Sequence, residues 1–283
     1  MQQVEPYQPF AYREHRCPQH AEHVDFLWYF EGPTNNSRKR ILPNGKIELI
    51  VNLAAPYRLL EGRGPELFSS TVSGLQTAPV VVEQPPRQKV LGVRLKPAGA
   101  HALLGAQLAE ASGLMVDLDD LFGRAANELV ERCHEAHSIE QRFAVTETWL
   151  GERLRGAGEM KPGVLWALRR IDQSGGAIEI EAVRQRTAWS KPQMIAAFRE
   201  EIGVTPKLYA RIVRFRRVLR MLQDGAVPLA AVAIDADYYD QPHMARDFRQ
   251  LGGLTPREFL ALRHPVGDGS TTIDPPARSL SKL

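Results

Sequence analysis

The chain has 283 residues, of which 43% are hydrophobic and 24% are charged, and its formal net charge is +3. This length accommodates two domains, and the composition is typical of a globular protein with substantial hydrophobic cores. No apolar run approaches the roughly eighteen residues that cross a bilayer, which excludes a membrane-spanning helix. The first ten residues resemble no secretory signal and only two cysteines occur, so we expect a cytoplasmic protein without structural disulfides.

The first part of the chain alternates short β-type runs with turn clusters rich in Gly, Pro and Asn. The four clearest runs begin at Asp25, Lys46, Pro79 and Lys89. Such a pattern is typical of an antiparallel sandwich or barrel. Its aromatic side chains offer material for a ligand cavity, but alternate strand residues face inward anyway, so core is the better interpretation for most of them. These residues are Phe26, Trp28, Tyr29, Phe30 and Tyr57.

From Pro97 onwards the pattern becomes helical. Residues 118–154 carry more apolar side chains at helical spacing than one small barrel is expected to cover, and we therefore predict a homodimer through these helices. The side chains in question are Leu121, Leu129, Val145, Trp149 and Leu150. By composition, the chain divides into a first domain (1–155), a Gly- and Pro-rich linker (156–163), a second domain (164–264) and a disordered tail (265–283).

A repeat with an offset of fifty residues marks the second domain. KPQMIAAFREEIGVTPKLYA begins at Lys191, QPHMARDFRQLGGLTPREFL begins at Gln241, and seven of the twenty aligned positions are identical. Each copy predicts a helix that starts near a Pro, buries Met and Phe four residues apart, and ends at a Gly before Thr-Pro. One supersecondary unit is therefore used twice, with polar faces that differ between the copies.

The second copy fits the geometry of a helix-turn-helix motif. A short helix is predicted from about Leu229, with a small residue at Ala233 and a turn at Asp237 that favours a left-handed backbone. Side chains near the start of the helix after such a turn reach base edges in a major groove, where Arg pairs with guanine and Gln with adenine. The residues expected to read bases are Gln241, His243, Arg246 and Arg249.

A long amphipathic helix is predicted between the two copies, because apolar residues recur there at helical spacing from Leu208 to Leu222. Its exposed side is rich in Arg, and residues 161–264 contain 17 Lys or Arg against 11 Asp or Glu. This excess points to a polyanion partner, although a merely solvated basic surface is the plainer alternative. The residues expected to contact phosphates and position DNA are Lys191, Gln193, Arg199, Arg211, Arg216, Arg217 and Arg220.

The double unit resembles the DNA-binding domain of the AraC/XylS family of transcription regulators. The resemblance rests on the F-R-x-x-x-G-[VL]-T-P runs at Phe198 and Phe248, the helix RFRRVLRML and the stretch YYDQPHMARDFR from Tyr238. It implies an all-α C-terminal domain in which two helix-turn-helix motifs, joined by a long linker helix, enter adjacent major-groove segments of double-stranded DNA. The chain as a whole would then be a two-domain α+β protein.

Two further runs, ILPNGKIELIVNL from Ile41 and VRLKPAGAHALLG from Val93, resemble the sensor domains of a subset of the same family. This resemblance implies a small N-terminal β-barrel of the jelly-roll type, followed by helices that mediate dimerisation. It also implies a regulatory role, in which an unidentified small-molecule effector modulates DNA binding.

The first copy departs from the family pattern. Arg184 stands where the family usually has Ala, and Ala188 stands at the turn position, which is usually Gly. A Cβ in the left-handed conformation costs on the order of 1 kcal/mol. Where family members often carry polar or basic side chains, its second helix offers Ile195 and Ala196. We expect the second motif to read the sequence and the first to position the protein. The alternative is a ligand- or protein-binding regulator whose DNA-binding module is degenerate.

The N-terminal segment also contains possible metal ligands. Cys17, His20 and His23 have C-x-x-H-x-x-H spacing, with His15 just before them, and sulfur and imidazole are zinc or copper ligands. A tetrahedral site needs a fourth ligand, and polar residues are ordinary in such a loop, so the sequence favours no metal and no cofactor. Because no nucleophile elbow, phosphate loop or HExxH motif occurs, we do not expect an enzyme.

Overall fold

In the computed structural model, residues 10–34, 37–224, 228–262 and 272–273 are described. Of the predicted disordered tail (265–283), all but Thr272–Ile273 lies outside this range. The strands are β1 (Ala11–His15), β2 (Val24–Pro33), β3 (Arg38–Ile41), β4 (Ile47–Asn52), β5 (Tyr57–Glu61), β6 (Leu67–Phe68), β7 (Thr71–Ser73), β8 (Val80–Glu83), β9 (Arg87–Leu95), β10 (Met115–Asp117) and β11 (Thr272–Ile273).

Within the described residues, these strands form two antiparallel sheets. One has the order β1-β2-β9-β4-β7-β10, and the other has the order β11-β3-β8-β5-β6. The four β-type runs of the sequence correspond to β2, β4, β8 and β9, which confirms the predicted β-rich N-terminal domain. Because the two sheets share no hydrogen-bonded strand pair in this range, the barrel-like domain is an open sandwich.

Both faces of the larger sheet are buried, because successive residues of β2 point into two different hydrophobic clusters. Trp28 belongs to a cluster between the two sheets, together with Tyr57, Phe68 and Val82. Leu27 belongs to a larger cluster on the opposite face, where the helices pack. The five aromatic residues considered for a ligand cavity all lie in or against one of these two clusters: Phe26, Trp28, Phe30 and Tyr57 between the sheets, and Tyr29 on the helix side.

Five helices follow β9 in the chain, beginning at Pro97 as the sequence predicts. They are α1 (Pro97–Leu104), α2 (Gln107–Ala111), α3 (Leu118–Phe122), α4 (Arg124–Glu135) and α5 (Ile139–Leu154). The expectation that a single chain leaves their apolar residues uncovered is wrong for three of the five. Leu129, Trp149 and Leu150 are buried within one chain, because α4 and α5 pack on each other and on α3. Leu121 and Val145 are half-buried.

The C-terminal domain is entirely helical over its described residues. Its helices are α6 (Pro162–Gln173), α7 (Ile180–Thr187), α8 (Lys191–Ile202), α9 (Pro206–Asp224), α10 (Leu229–Asp235), α11 (Gln241–Gly252) and α12 (Pro256–Leu262). Helix α6 starts inside the segment expected to be the linker. Helix α9 is the predicted long connecting helix, and nineteen residues give it a length of about 28 Å.

In each copy of the repeat, the helix ends at a glycine that touches the N-terminal domain. Gly203 (φ +86°) follows α8, and a Cβ placed on it would lie 2.9 Å from the Cβ of Ser112, beyond the end of α2. Gly253 (φ +71°) follows α11, and a Cβ there would lie 3.0 Å from the Cγ of Pro79. Both positions need glycine for the left-handed backbone and for the close approach. The N-terminal domain therefore contacts the C-terminal ends of both α8 and α11.

Candidate nucleic-acid interface

Helices α10 and α11 form a helix-turn-helix motif at the positions that the sequence predicts. Asp237 has a φ of +57°, the left-handed conformation expected at the turn. Ala233 is buried where the two helices approach each other, and its carbonyl accepts a 2.9 Å hydrogen bond from the backbone N–H of Tyr238. The carboxylate of Asp240 caps α11 by accepting a 2.6 Å bond from the N–H of His243.

The four candidate base readers divide into two pairs. Arg246 and Arg249 are exposed, about one turn apart on the side of α11 opposite the buried residues Met244 and Phe248. Among the described residues, neither guanidinium is paired with a carboxylate. Gln241 and His243 are half-buried at the start of the helix, and the His243 ring packs edge-on against Tyr238 with the centroids 5.2 Å apart. The free basic face of α11 is thus made by two arginines.

Helices α7 and α8 form the first motif, which folds despite its unusual residues. Ala188 adopts φ +57° and ψ +18°, so the turn is left-handed without a glycine. The Arg184 side chain forms an ion pair with Glu181 and donates a 2.9 Å hydrogen bond to the carbonyl of Trp189. That bond joins α7 to the turn.

The start of α8 closes a reciprocal cap. The N–H of Ser190 donates a 2.8 Å bond to the side-chain oxygen of Gln193, and the N–H of Gln193 donates a 3.4 Å bond to the Ser190 hydroxyl. Gln193, expected to position DNA, thus has its oxygen engaged within the protein. The exposed side of α8 presents Lys191, Ala196 and Arg199, with Ala196 at the position that Arg246 occupies in the second copy.

Two of the α9 arginines bind acidic residues of the second motif. Arg211 donates 3.1 Å and 2.7 Å bonds to one oxygen of Asp247, which is only 6% exposed. Arg217 donates a 2.8 Å bond to Asp237, the residue at the left-handed turn. Each pair fastens the second motif to the linker helix. The sequence did not point to Asp247, although an acidic residue between buried Met244 and Phe248 signals a buried partner.

The other two α9 arginines that were expected to contact DNA, Arg216 and Arg220, differ in their bonds within the protein. Arg216 forms a 3.3 Å ion pair with Asp172 of α6 and donates a 3.3 Å bond to the carbonyl of Asn44, which belongs to the N-terminal domain. Arg220 is exposed, and in the described range it forms no ion pair. Arg220 is therefore the α9 arginine that is free to contact a phosphate without breaking an internal bond.

The Asn44 turn brings a lysine into the contact between the domains. Lys46 lies 3.8 Å from Asp25, and burial lowers its pKa, with the nearby positive charge of Arg216 adding to the effect. Tyr209 of α9 donates a 3.1 Å bond to Asp172 on the same side, and burial raises the pKa of its hydroxyl. Charged residues of both domains thus meet beside α9.

The three possible metal ligands of the N-terminal segment do not converge. Cys17 is buried, and burial together with the neighbouring carboxylate of Glu147 raises the pKa of its thiol. The Nε2 of His20 lies 3.2 Å from the carbonyl oxygen of Glu147. The carbonyl of His23 accepts a 2.8 Å bond from the N–H of Lys96. The side chain that joins Cys17 is instead His15, whose Nε2 lies 3.2 Å from the Glu147 carboxylate.

Comparison with known proteins supports the interpretation of both domains. Residues 185–261 match a family model described as a helix-turn-helix domain, and residues 16–117 match a domain of unknown function, DUF6597. The uncharacterized HTH-type transcriptional regulator YbfI of Bacillus subtilis (strain 168) is 28% identical over 67 residues, which are 24% of this chain and 24% of YbfI. The match thus spans about a quarter of that relative.

Solved structures add two further similarities. One is a probable AraC family transcriptional regulator from Rhodopseudomonas palustris CGA009, 30% identical over 34% of this chain and 94% of that chain, with a TM-score of 0.29. The other is ToxT from Vibrio cholerae, 8% identical over 89% of this chain and 98% of that chain, with a TM-score of 0.46. The two described motifs, the helix-turn-helix match over residues 185–261 and the 30% identity over 94% of the AraC-type chain from Rhodopseudomonas palustris show that the chain belongs to the AraC family of transcriptional regulators.

Proposed function

We propose that this AraC-type regulator reads DNA sequence mainly through α11. The observation that carries the proposal is the pair of exposed arginines, Arg246 and Arg249, on the open face of a motif whose turn and caps are intact. A bidentate arginine contact with guanine discriminates between bases by about 1–3 kcal/mol. Gln241 and His243 lie at the start of the helix. There His243 can approach a base or a phosphate, and Gln241 can approach an adenine.

In this proposal the first motif positions the protein on DNA. Lys191 and Arg199 of α8 supply positive charge for phosphates, and Ala196 has no hydrogen bond to offer a base. The alternative, a regulator with a decayed DNA-binding module, finds little support. The cap between Ser190 and Gln193 is complete, and Phe198 is fully buried, as expected of a motif that still folds.

The linker helix gives the two motifs a separation suited to one face of DNA. Its length of about 28 Å approaches the roughly 34 Å between successive major-groove segments on that face. On this basis α8 and α11 enter adjacent segments. Exposed Arg220 contacts a phosphate, while Arg211, Arg216 and Arg217 hold the domain together.

A small-molecule effector is proposed to act on the N-terminal domain. The buried Trp28 Nε1 and Thr71 Oγ1 have no hydrogen-bond partner among the described residues. Both lie on one row of the larger sheet, Trp28–Gly92–Ile50–Thr71, and Trp28 faces the second sheet. Unpaired buried polar groups favour a ligand that bonds to them. Contacts of this domain with Gly203 and Gly253 offer a route to both motifs.

Assembly and location complete the proposal. A homodimer would present two copies of α11 to two half-sites, which increases specificity. Helices α3 to α5 remain the proposed dimer contact through half-buried Leu121 and Val145. Light scattering that detects only monomers with and without DNA would exclude this dimer.

Among the described helices, none combines the length and the apolar character of a membrane-spanning segment. We propose that the protein acts in the cytoplasm, by binding DNA and not by catalysis.

The experiment that tests the proposal compares preferred DNA sites for three proteins. Wild-type protein, Arg246→Ala and Ala196→Ser are each used to select sites from randomised duplexes. Arg246→Ala should relax the preference at one or two base pairs and lower specific affinity about 5- to 150-fold, with non-specific affinity nearly unchanged. Ala196→Ser should leave the selected site as it is. If Ala196→Ser changes the site and Arg246→Ala does not, the roles of the motifs are reversed.

A further inference from the structure

Three potential metal ligands meet between the edge of the larger sheet and α5. They are His15 at the end of β1, Cys17 at the start of a short 3-10 helix (Pro18–His20), and Glu147 on α5. One nitrogen, one sulfur and one carboxylate oxygen from these side chains all lie within 4.8 Å of one another. Cys17 is 3% exposed, and the Glu147 side chain is 17% exposed. The sulfur therefore sits in the interior and the carboxylate at its margin.

The spacing of these atoms is close to that of ligands around one ion. Zinc binds nitrogen and oxygen at about 2.0–2.1 Å and sulfur at about 2.3 Å, so tetrahedral ligands stand ~3.3–3.6 Å apart. The Nε2 of His15 and the Oε1 of Glu147 are 3.2 Å apart. The sulfur is within 4.8 Å of both, so a shift of at most about 1.2 Å completes the triangle.

The surroundings hold the ligands in place. The His15 ring stacks on Phe143, one turn before Glu147 on α5, with the centroids 5.1 Å apart and the planes 15° from parallel. The Nε2 of His20 lies against the backbone carbonyl of Glu147, which anchors the 3-10 helix to α5. Ordering of ligands by such outer contacts is typical of metal sites.

A bound cation would also balance the charge of these ligands. A metal ligand is the thiolate and not the thiol, and once Cys17 has lost its proton, its thiolate and the Glu147 carboxylate would repel each other unless a cation lay between them. The guanidinium of Arg142, also on α5, does not fill this role, because it donates to the carbonyls of Cys133 and Ala136. A divalent ion would balance the two negative ligands, and the thiolate selects zinc-class ions over magnesium or calcium.

We propose that His15, Cys17 and Glu147 bind one zinc-class divalent ion, with a fourth position open to water or an external ligand. Binding would replace the thiol proton of Cys17 by the metal and release that proton to solvent. The ion would tie the edge strand β1 to α5. This inference is independent of the DNA-binding proposal, because it concerns the N-terminal domain and is tested without DNA.

The test uses the full chain, purified under reducing conditions, freed of metal with a chelator and titrated with Co²⁺ and then Zn²⁺. Wild-type protein should bind one ion per chain and show thiolate-to-cobalt charge-transfer absorption that Zn²⁺ abolishes. Cys17→Ser should lose this absorption, and Glu147→Gln should weaken binding at least about 10-fold. Cys133→Ala removes the other cysteine, which lies beside Thr146 outside the cluster, and should bind as wild type does.

Two further measurements keep the result decisive. Circular dichroism of each metal-free variant should match that of metal-free wild type, and Zn²⁺ should raise the melting temperature of wild type but not of Cys17→Ser. If Cys17→Ser does not fold, Glu147→Gln provides the comparison. Absence of cobalt–thiolate absorption in the wild type, or its persistence in Cys17→Ser, would overturn the proposal.

Discussion

The left-handed turn of the first motif predicts that replacing Ala188 by glycine stabilises the protein. Ala188 is exposed and adopts φ +57° and ψ +18°, a region in which its Cβ crowds the following carbonyl. That conformation costs an L-residue roughly 1–2 kcal/mol. Glycine avoids this cost but loses more backbone freedom on folding, by roughly 0.5–1 kcal/mol. Ala188→Gly should therefore increase the free energy of unfolding by about 0.5–1 kcal/mol.

The matched control is the same substitution in a regular helix. Ala196 is exposed in the interior of α8, where replacing Ala by Gly costs about 1 kcal/mol. Urea unfolding, followed by the fluorescence of Trp189 and the other tryptophans, measures both changes. The urea midpoints should move in opposite directions, and the two variants should differ by about 1.5–2 kcal/mol. If Ala188→Gly destabilises the protein as much as Ala196→Gly, the turn is not left-handed in solution.

Two further predictions concern charged residues around α9. Asp247→Ala removes the acceptor of two of the Arg211 hydrogen bonds and should cost about 1–3 kcal/mol of stability in urea unfolding. Asp235→Ala, at an exposed position, should cost under about 0.5 kcal/mol. Equal costs would show that the pair does not form. Burial and Arg216 lower the pKa of Lys46 below 10.5. Between that lowered pKa and 10.5 the unfolded chain binds more protons than the folded one, so wild-type stability should rise with pH towards 10.5. Lys46→Met should flatten this rise, and an unchanged slope in unfolding measured at several pH values would contradict the burial of the charge.

The local pattern was sufficient to predict much of the second motif. The small residue at Ala233, the turn at Asp237 and the helix from Gln241 follow from the spacing of residues that are close in the chain, and the structure confirms each. The β-rich first domain was predictable for the same reason, since long apolar runs become the central strands β2, β4 and β9. Short strands such as β6 carry too few residues to show an alternation.

The partners of the arginines could not be predicted in this way. Arg211 and Asp247 are 36 residues apart, and Arg216 and Asn44 are 172 residues apart, so only the packed structure brings them together. The amphipathic pattern of α9 predicts which face is polar, but it does not distinguish side chains that bind protein from those free for DNA. The same limit applies to Glu147, since no spacing in the chain connects it with Cys17.

The salt dependence of DNA binding tests the central claim most directly. Each phosphate that a Lys or Arg neutralises releases counterions, so the logarithm of the association constant should fall steeply and linearly with the logarithm of salt concentration. Arg220→Ala should weaken binding to all sequences alike and reduce that slope by about 1, because Arg220 is exposed and its loss breaks no described ion pair. A wild-type protein that binds its selected duplex without salt dependence, or binds no DNA at all, would contradict the account.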